Sequence, residues 1–416
     1  MTSTTQLSTG VRTRTSEAVD FGVVGLALLG VVGSFPLSRG SAVYAAEPLL
    51  LLASFMTLRY RAPAFRQRDT SVILLLGVTL LAVQIATDVF RSSAPEDFLR
   101  GWARTGFFLA ALCAFTVLLT TRQRVLVTVF AFSCGQMISA LALTTAQEQT
   151  DIWKFGIGGP ATICALALLG LLEARRRWFV LSLAALSVFD VYMGSRSLGL
   201  FSAAAAATLL ATAPHDRYRL PRRGALVRLG IAGVIALVCV GYAYTWAAAS
   251  GRLGAAAETK YENQSGGSAG ILLGARPELL ATLYAIRASP VIGYGSWPLD
   301  RKGFNARAKL ALTRRGYVLL PGPVSDRIPI HSHLFGAWVE AGLLGAAFWL
   351  AVLVVAVRAL ITVLRRPFSS LTPLVAFGTY ALAWDIFFSP FGAERRVTTA
   401  LLIATLLFAQ NETRES

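Results

Sequence analysis

Charge is scarce in this chain. Of its 416 residues only 15% are Asp, Glu, Lys or Arg, where a soluble domain carries about a quarter. Acids are the scarcer sign, 22 against 39 Lys plus Arg, for a net charge of +17. Histidine occurs three times, as His215, His331 and His333, too few for a conventional metal cluster. The four cysteines, Cys113, Cys134, Cys164 and Cys239, lie far apart in hydrophobic blocks, without CxxC or zinc spacing. They read as small packing residues. There is no Asp-x-Asp motif, and neither a metal nor another cofactor is expected. In a soluble protein a charge of +17 would suggest nucleic acid. Here the cations fall in loops that anchor and orient helices, so nucleic acid is not an expected partner.

Apolar residues make up 55% of the chain. They come in blocks of roughly 18 or more uncharged residues, long enough to cross the ~30 Å hydrocarbon core of a bilayer. Backbone groups there must pair internally, which leaves helices or barrel strands. The blocks do not alternate, so helices are expected. The fold class is all-α, a polytopic transmembrane bundle of about 12 spans. The expected spans are 20–38, 42–58, 71–89, 104–120, 125–143, 156–173, 178–193, 197–213, 227–248, 333–357, 371–389 and 397–410. The first block, with Arg12 and Arg14 before it, reads as an uncleaved span. This divides the chain into helices over 1–248, a large outward loop over 249–330, and three more spans with a tail over 331–416.

Counting only Lys and Arg sets the orientation. With the N-terminus inside, inward segments hold 20 of them and the short outward loops hold 8. Both termini are then cytoplasmic. In the long outward loop, Gln264 to Gly270 reads as flexible, and Glu278 to Ser289 as a helix with Leu279, Leu280, Leu283 and Ile286 at helical spacing. Pro290 stops that helix and Gly293-Tyr294-Gly295 turns the chain. A basic run follows, Arg301, Lys302, Arg307, Lys309, Arg314 and Arg315, suited to an anionic acceptor or to phospholipid headgroups.

The outward face carries the candidate chemistry. Arg196 sits in the tight turn Gly194-Ser195-Arg196-Ser197. Its guanidinium suits a phosphate clamp, or equally a snorkelling interface position. Arg276 leads the loop helix, where free N–H groups also favour phosphate. Arg395 and Arg396 follow Glu394 in another outward loop and suit a phosphate or a surface ion pair. His331-Ser332-His333 stands where the long loop re-enters the membrane. Histidine there suits a general base, because it titrates near neutrality. Glu340 is half a turn out of phase with His331 on an ideal helix but shares a face with His333. Gly342 and Gly345 permit close helix packing.

His331-Ser332, then Glu340-x-Gly342-x-x-Gly345, resembles the signature of the bacterial O-antigen ligase and O-antigen polymerase superfamily. Gly194-Ser195-Arg196 is similar to that family's outward turn, and Arg276 through Gly295 to its arginine-led helix. The resemblance covers roughly residues 190–350, with Ser332 where Asn is common. It implies a GT-C-like bundle in the bacterial inner (cytoplasmic) membrane with its active site facing the periplasm. It implies a glycosyltransferase whose donor is a glycan on undecaprenyl pyrophosphate and whose acceptor is a sugar hydroxyl, on lipid A-core for a ligase or on another glycan for a polymerase. His331 would be the base of a metal-independent inverting transfer. Arg196, Arg276, Arg395 and Arg396 would meet the pyrophosphate, with His333, Glu340, Gly342 and Gly345 in supporting roles. The ligase reading leads because one outward loop dominates; the polymerase reading stays open. From another class, a transporter or lipid flippase also suits twelve spans.

Overall fold

A computed structural model of the chain describes residues 20–38, 43–59, 65, 67–211, 241–242, 245–252, 254–265, 276, 278–317 and 325–412. Arg12, Arg14, His215, Cys239, most of the expected span 227–248 and the stretch 266–270 lie outside the described residues.

The described residues are helical, with no named strand among them. The helices are α1 (Phe21–Gly33), α2 (Ala46–Arg59), α3 (Arg68–Arg91), α4 (Pro95–Leu118), α5 (Arg122–Ala142), the short α6 (Ala146–Thr150), α7 (Gly158–Leu171) entered through a π-helical turn, α8 (Arg176–Tyr192) and α9 (Arg196–Ala211). Then come α10 (Ala255–Ser265), α11 (Glu278–Ala288), α12 (Phe304–Thr313), α13 (His333–Leu364), α14 (Thr372–Phe388) and α15 (Ala393–Asn411). Gln264 and Ser265, expected to be flexible, end α10. Every expected span other than 227–248 falls on a helix. Among the described residues five stretches are long and apolar enough to cross a membrane: Arg68–Arg91, Pro95–Leu118, Arg122–Ala142, Trp153–Leu171 and His333–Leu364. Phe21–Gly33, Ala46–Thr57, Arg196–Ala211 and Thr372–Phe388 are apolar but shorter.

One boundary differs from the sequence expectation in a way that matters for the site. The expected span 104–120 begins at Pro95. Pro95 fits a first helical turn because it lacks only an N–H that would be unpaired there, and Glu96 and Asp97 complement the positive helix end. Arg104, the first residue of the expected span and one of the eight cations counted for the short outward loops, is therefore well inside α4 and buried.

The core is one apolar cluster centred on α4, α13, α14 and α15, with Phe108, Phe115, Phe348, Trp349 and Phe377 fully buried. α13 packs on α3 and α14, α15 on α4, and α1 on α5. The α1–α5 crossing is close because a side chain at Gly135 would meet Val31 O at 2.6 Å. Large apolar side chains such as Leu75, Val78 and Val188 point outward from the helices, the pattern of helices solvated by lipid.

Polar pairs gather at the two ends. At one end Arg124 is bonded to Asp20, Arg122 to Glu412, and Arg358 and Gln410 to Asp69. At the other end lies the described part of the long loop. There α11 and α12 share a small second core with Ile328 and Val339. α12 buries Phe304, Ala308 and Leu312 at helical spacing and leaves Arg307, Arg314 and Arg315 exposed. Asp300 accepts from Phe304 N and Asn305 N and so starts that helix. α11 covers the expected Glu278–Ser289 segment but packs on α12 and α13, with Ala281 and Ala285 buried.

Candidate functional site

The chain returns from the loop through His331-Ser332-His333. Ser332 caps α13: its hydroxyl accepts from Phe335 N at 3.0 Å and donates to Ile386 O at 2.7 Å. His331 lies just before the cap and is exposed, whereas His333 is the first helical residue and is 1% exposed. The two histidines consequently line different hollows.

The first hollow encloses about 280 Å³, open solvent included, and is lined by His331, Arg276, Thr282, Phe335, Phe387 and Phe388 among others. Arg276 is partly exposed and 3.5 Å from Glu278. The Thr282 hydroxyl donates to Pro329 O at 2.7 Å, which ties α11 to the segment before His331. Two residues 55 positions apart in sequence thus line one pocket together with the Arg276–Glu278 ion pair and three phenylalanines.

The second hollow encloses about 380 Å³ on the same basis, and its lining includes His333, Arg104, Glu340, Gln84, Trp349 and Phe391. Ser332 lines both hollows. His333 Nδ1 is 2.7 Å from Ser389 O, and its ring packs edge-on against Trp349. Arg104 pairs with Glu340, and its guanidinium also lies over Trp297 and Phe391. Glu340 further accepts from Trp297 N at 3.2 Å. Beside it Asp88 accepts from Ser296 N, Ser296 Oγ and Trp102 Nε1. Two carboxylates from α3 and α13 therefore hold consecutive loop amides.

Gly342 does more than the close packing expected of it. Its φ of 69° breaks α13, and a side chain there would collide with Val291 O. The carbonyls orphaned by the break are taken by the loop: Tyr294 N donates to Val339 O at 2.7 Å and Gly295 N to Glu340 O at 3.0 Å. Leu343 N in turn donates to Val291 O at 3.3 Å. All backbone polar groups at such a break must find partners when lipid surrounds it. The Gly293-Tyr294-Gly295 turn supplies them. Burial pushes the Tyr294 phenol above its ordinary pKa, against the opposing pull of Arg91. Gly345, three residues past the break, lies close to Ala337 O.

The other arginines divide. Arg196 opens α9, which packs on α14 through Phe201 and Trp384. It is half-buried and lines neither hollow. Arg395 donates to Asp385 at 2.7 Å, the ion-pair alternative, and lies near His333 without lining its hollow. Arg396 departs from the clamp expectation. It is 3% exposed and gives Nε and a terminal nitrogen to the two oxygens of Glu47, at 2.6 and 2.8 Å. That is an interhelical lock between α15 and α2, and Arg396 lines neither hollow.

Sequence reasoning missed Arg104, Asp88 and the Ser296-Trp297 amides. The signal for Arg104 was present in Pro95-Glu96-Asp97, which starts α4 early and places an arginine inside a span, where it needs an acid. No group of three or more His, Cys, Asp or Glu among the described residues could hold a metal ion. No family profile, curated protein or solved structure matches the chain.

Proposed function

We propose that the protein is a membrane glycosyltransferase that moves a glycan from undecaprenyl pyrophosphate to a sugar hydroxyl, as an O-antigen ligase does. The observation that carries this reading is the shared pocket of His331 and Arg276. A transfer from a pyrophosphate needs a base beside the acceptor oxygen and a cation beside the leaving group. His331 takes the acceptor hydroxyl proton as the oxygen attacks the anomeric carbon. Arg276 meets the charge growing on the departing pyrophosphate. Phe335, Phe387 and Phe388 supply an apolar wall for the first polyprenyl units. Arg196 is a second pyrophosphate candidate, reached from α9; Arg395 is a weaker one because Asp385 already holds it. In this reading twelve GT-C-like spans lie in a bacterial inner membrane, the pocket faces the periplasm and both termini are cytoplasmic. The resemblance of 331–345 to the O-antigen ligase and polymerase signature supports it.

The test uses purified protein, lipid-linked donor and acceptor glycolipid in the presence of a chelator. Glycan transfer is expected, with His331→Ala reducing it by about 10²–10⁴-fold. Full activity in that variant removes the base assignment. In a deletion strain, intact chains that stay off the lipid acceptor support the ligase role, whereas single repeat units on the lipid support the polymerase role.

A further inference from the structure

The hollow around His333 has no part in the scheme above, yet it holds two buried polar atoms without a hydrogen-bond partner: His333 Nε2 and Arg104 Nε. Both residues are more than nine-tenths buried. Their needs are opposite. The Ser389 carbonyl only accepts, so the hydrogen of the 2.7 Å contact sits on His333 Nδ1. The neutral ring then carries its lone pair on Nε2, an acceptor lacking a donor. Arg104 Nε–H is a donor lacking an acceptor. One O–H group answers both. A carboxylate or phosphate would satisfy Arg104 while facing the Nε2 lone pair and the Glu340 carboxylate. An ammonium would satisfy His333 while facing a guanidinium.

We infer that this hollow is the acceptor subsite: a hydroxyl of the acceptor glycan donates to His333 Nε2 and accepts from Arg104 Nε–H. The inference rests on the glycosyl-transfer reading and deepens it. Arg276 then holds the donor's pyrophosphate, His331 takes the proton of the attacking hydroxyl where the two substrates meet, and His333 with Arg104 holds a second hydroxyl of the acceptor. Ser332 lines both hollows, so the substrates meet across one residue. The geometry is held from behind. Trp349 and Phe391, at 4.7 and 5.0 Å between ring centres, hold the imidazole. Glu340, Trp297 and Phe391 hold the guanidinium.

The experiment uses the full-length protein with lipid-linked donor and acceptor glycolipid extracted from the producing cells. His333→Asn keeps an N–H for Ser389 and removes Nε2. Arg104→Lys keeps a cation for Glu340 and removes Nε–H. Each is expected to raise the acceptor KM about tenfold, the loss of one buried hydrogen bond, with the donor KM within about twofold of wild type. An unchanged acceptor KM in both variants, or an equal rise in both KM values, overturns the inference. A second measurement needs no turnover. The chain has three histidines, so protein labelled with ¹⁵N-histidine gives a readable imidazole spectrum. Adding acceptor glycolipid without donor is expected to move the His333 Nε2 resonance, assigned through His333→Asn, and to need about tenfold more acceptor for the same shift in Arg104→Lys. A wild-type resonance that ignores the acceptor means that water fills the hollow, and the subsite fails. If the resonance moves but no glycan is transferred, the transferase reading fails while the hydroxyl site stands.

Discussion

Among the described residues two arginines, Arg104 and Arg396, are buried, and they do different things. Arg396 grips Glu47 with two parallel bonds, and both side chains are almost wholly enclosed. Arg104 reaches Glu340 through one terminal nitrogen and leaves Nε facing a hollow. In sequence they look alike, an arginine near a span end. The contrast shows that burial of a charge is not a sign of a site. An arginine that grips one carboxylate through a two-bond fork joins helices, whereas one whose buried Nε–H has no partner beside a hollow has a donor to offer a ligand.

The comparison can be broken at its closed member first. Arg396→Ala strands a buried Glu47, and about 3–5 kcal/mol of stability should be lost. Thermal unfolding of the detergent-purified protein measures this. The double variant Glu47→Leu with Arg396→Met should recover most of it, since apolar packing replaces a buried pair at little cost. A single variant as stable as wild type would mean that the lock is ornamental. Next comes the break that positions the open member. Gly342→Ala should cost about 3 kcal/mol, from the positive φ and the collision with Val291 O. Protease nicking within 278–317 should rise with it, as the loop loses its seat on α13.

Arg276 sharpens the comparison from the ligand side, because it is partly exposed and only loosely paired. Arg276→Ala should leave the unfolding temperature unchanged and lower turnover by about 10²-fold. Initial rates at saturating acceptor read this directly; a drop in stability with unchanged rate would place Arg276 with Arg396. The smallest effect belongs to a pair with the same fork geometry in the open, Arg124 with Asp20, at 3.0 Å for both bonds. The Arg124 bond holds the Asp20 carboxyl below its ordinary value of 3.8. A depressed carboxyl contributes stability above its unfolded pKa and loses it as pH falls through the folded value. Asp20→Asn should therefore differ from wild type at pH 6 and converge with it as the pH falls through the lowered folded value of Asp20, as unfolding curves at stepped pH would record.

Much of the architecture was legible from composition. Uncharged blocks locate helices because a bilayer accepts little else, and Pro290 with Gly293-Tyr294-Gly295 marks the end of α11. Register across the bundle was not legible. Nothing local in Glu340 says that it faces Arg104, some 236 positions away, and nothing in Glu47 says that it faces Arg396. His331 and Arg276 were each readable as polar residues at element ends, but their common pocket depends on Thr282 bonding Pro329 O. Cys134 and Cys164 make the same point outside the site. Far apart in sequence, they bring their sulfurs within 3.6 Å where α5 packs on α7.

The break at Gly342 has a mechanical consequence. A helix with an unbroken ladder carries any tilt of its membrane-embedded length to its tip. In α13 the ladder stops at Gly342, and the carbonyls of Val339 and Glu340 are bonded to Tyr294 and Gly295 instead. The short segment that begins at His333 is thus tied to the loop and to Glu340's partners as well as to the long shaft after Gly342. A tilt of the long shaft, by which helices meet a change in bilayer thickness, is therefore expected to reach the histidines less fully than it would along an unbroken helix.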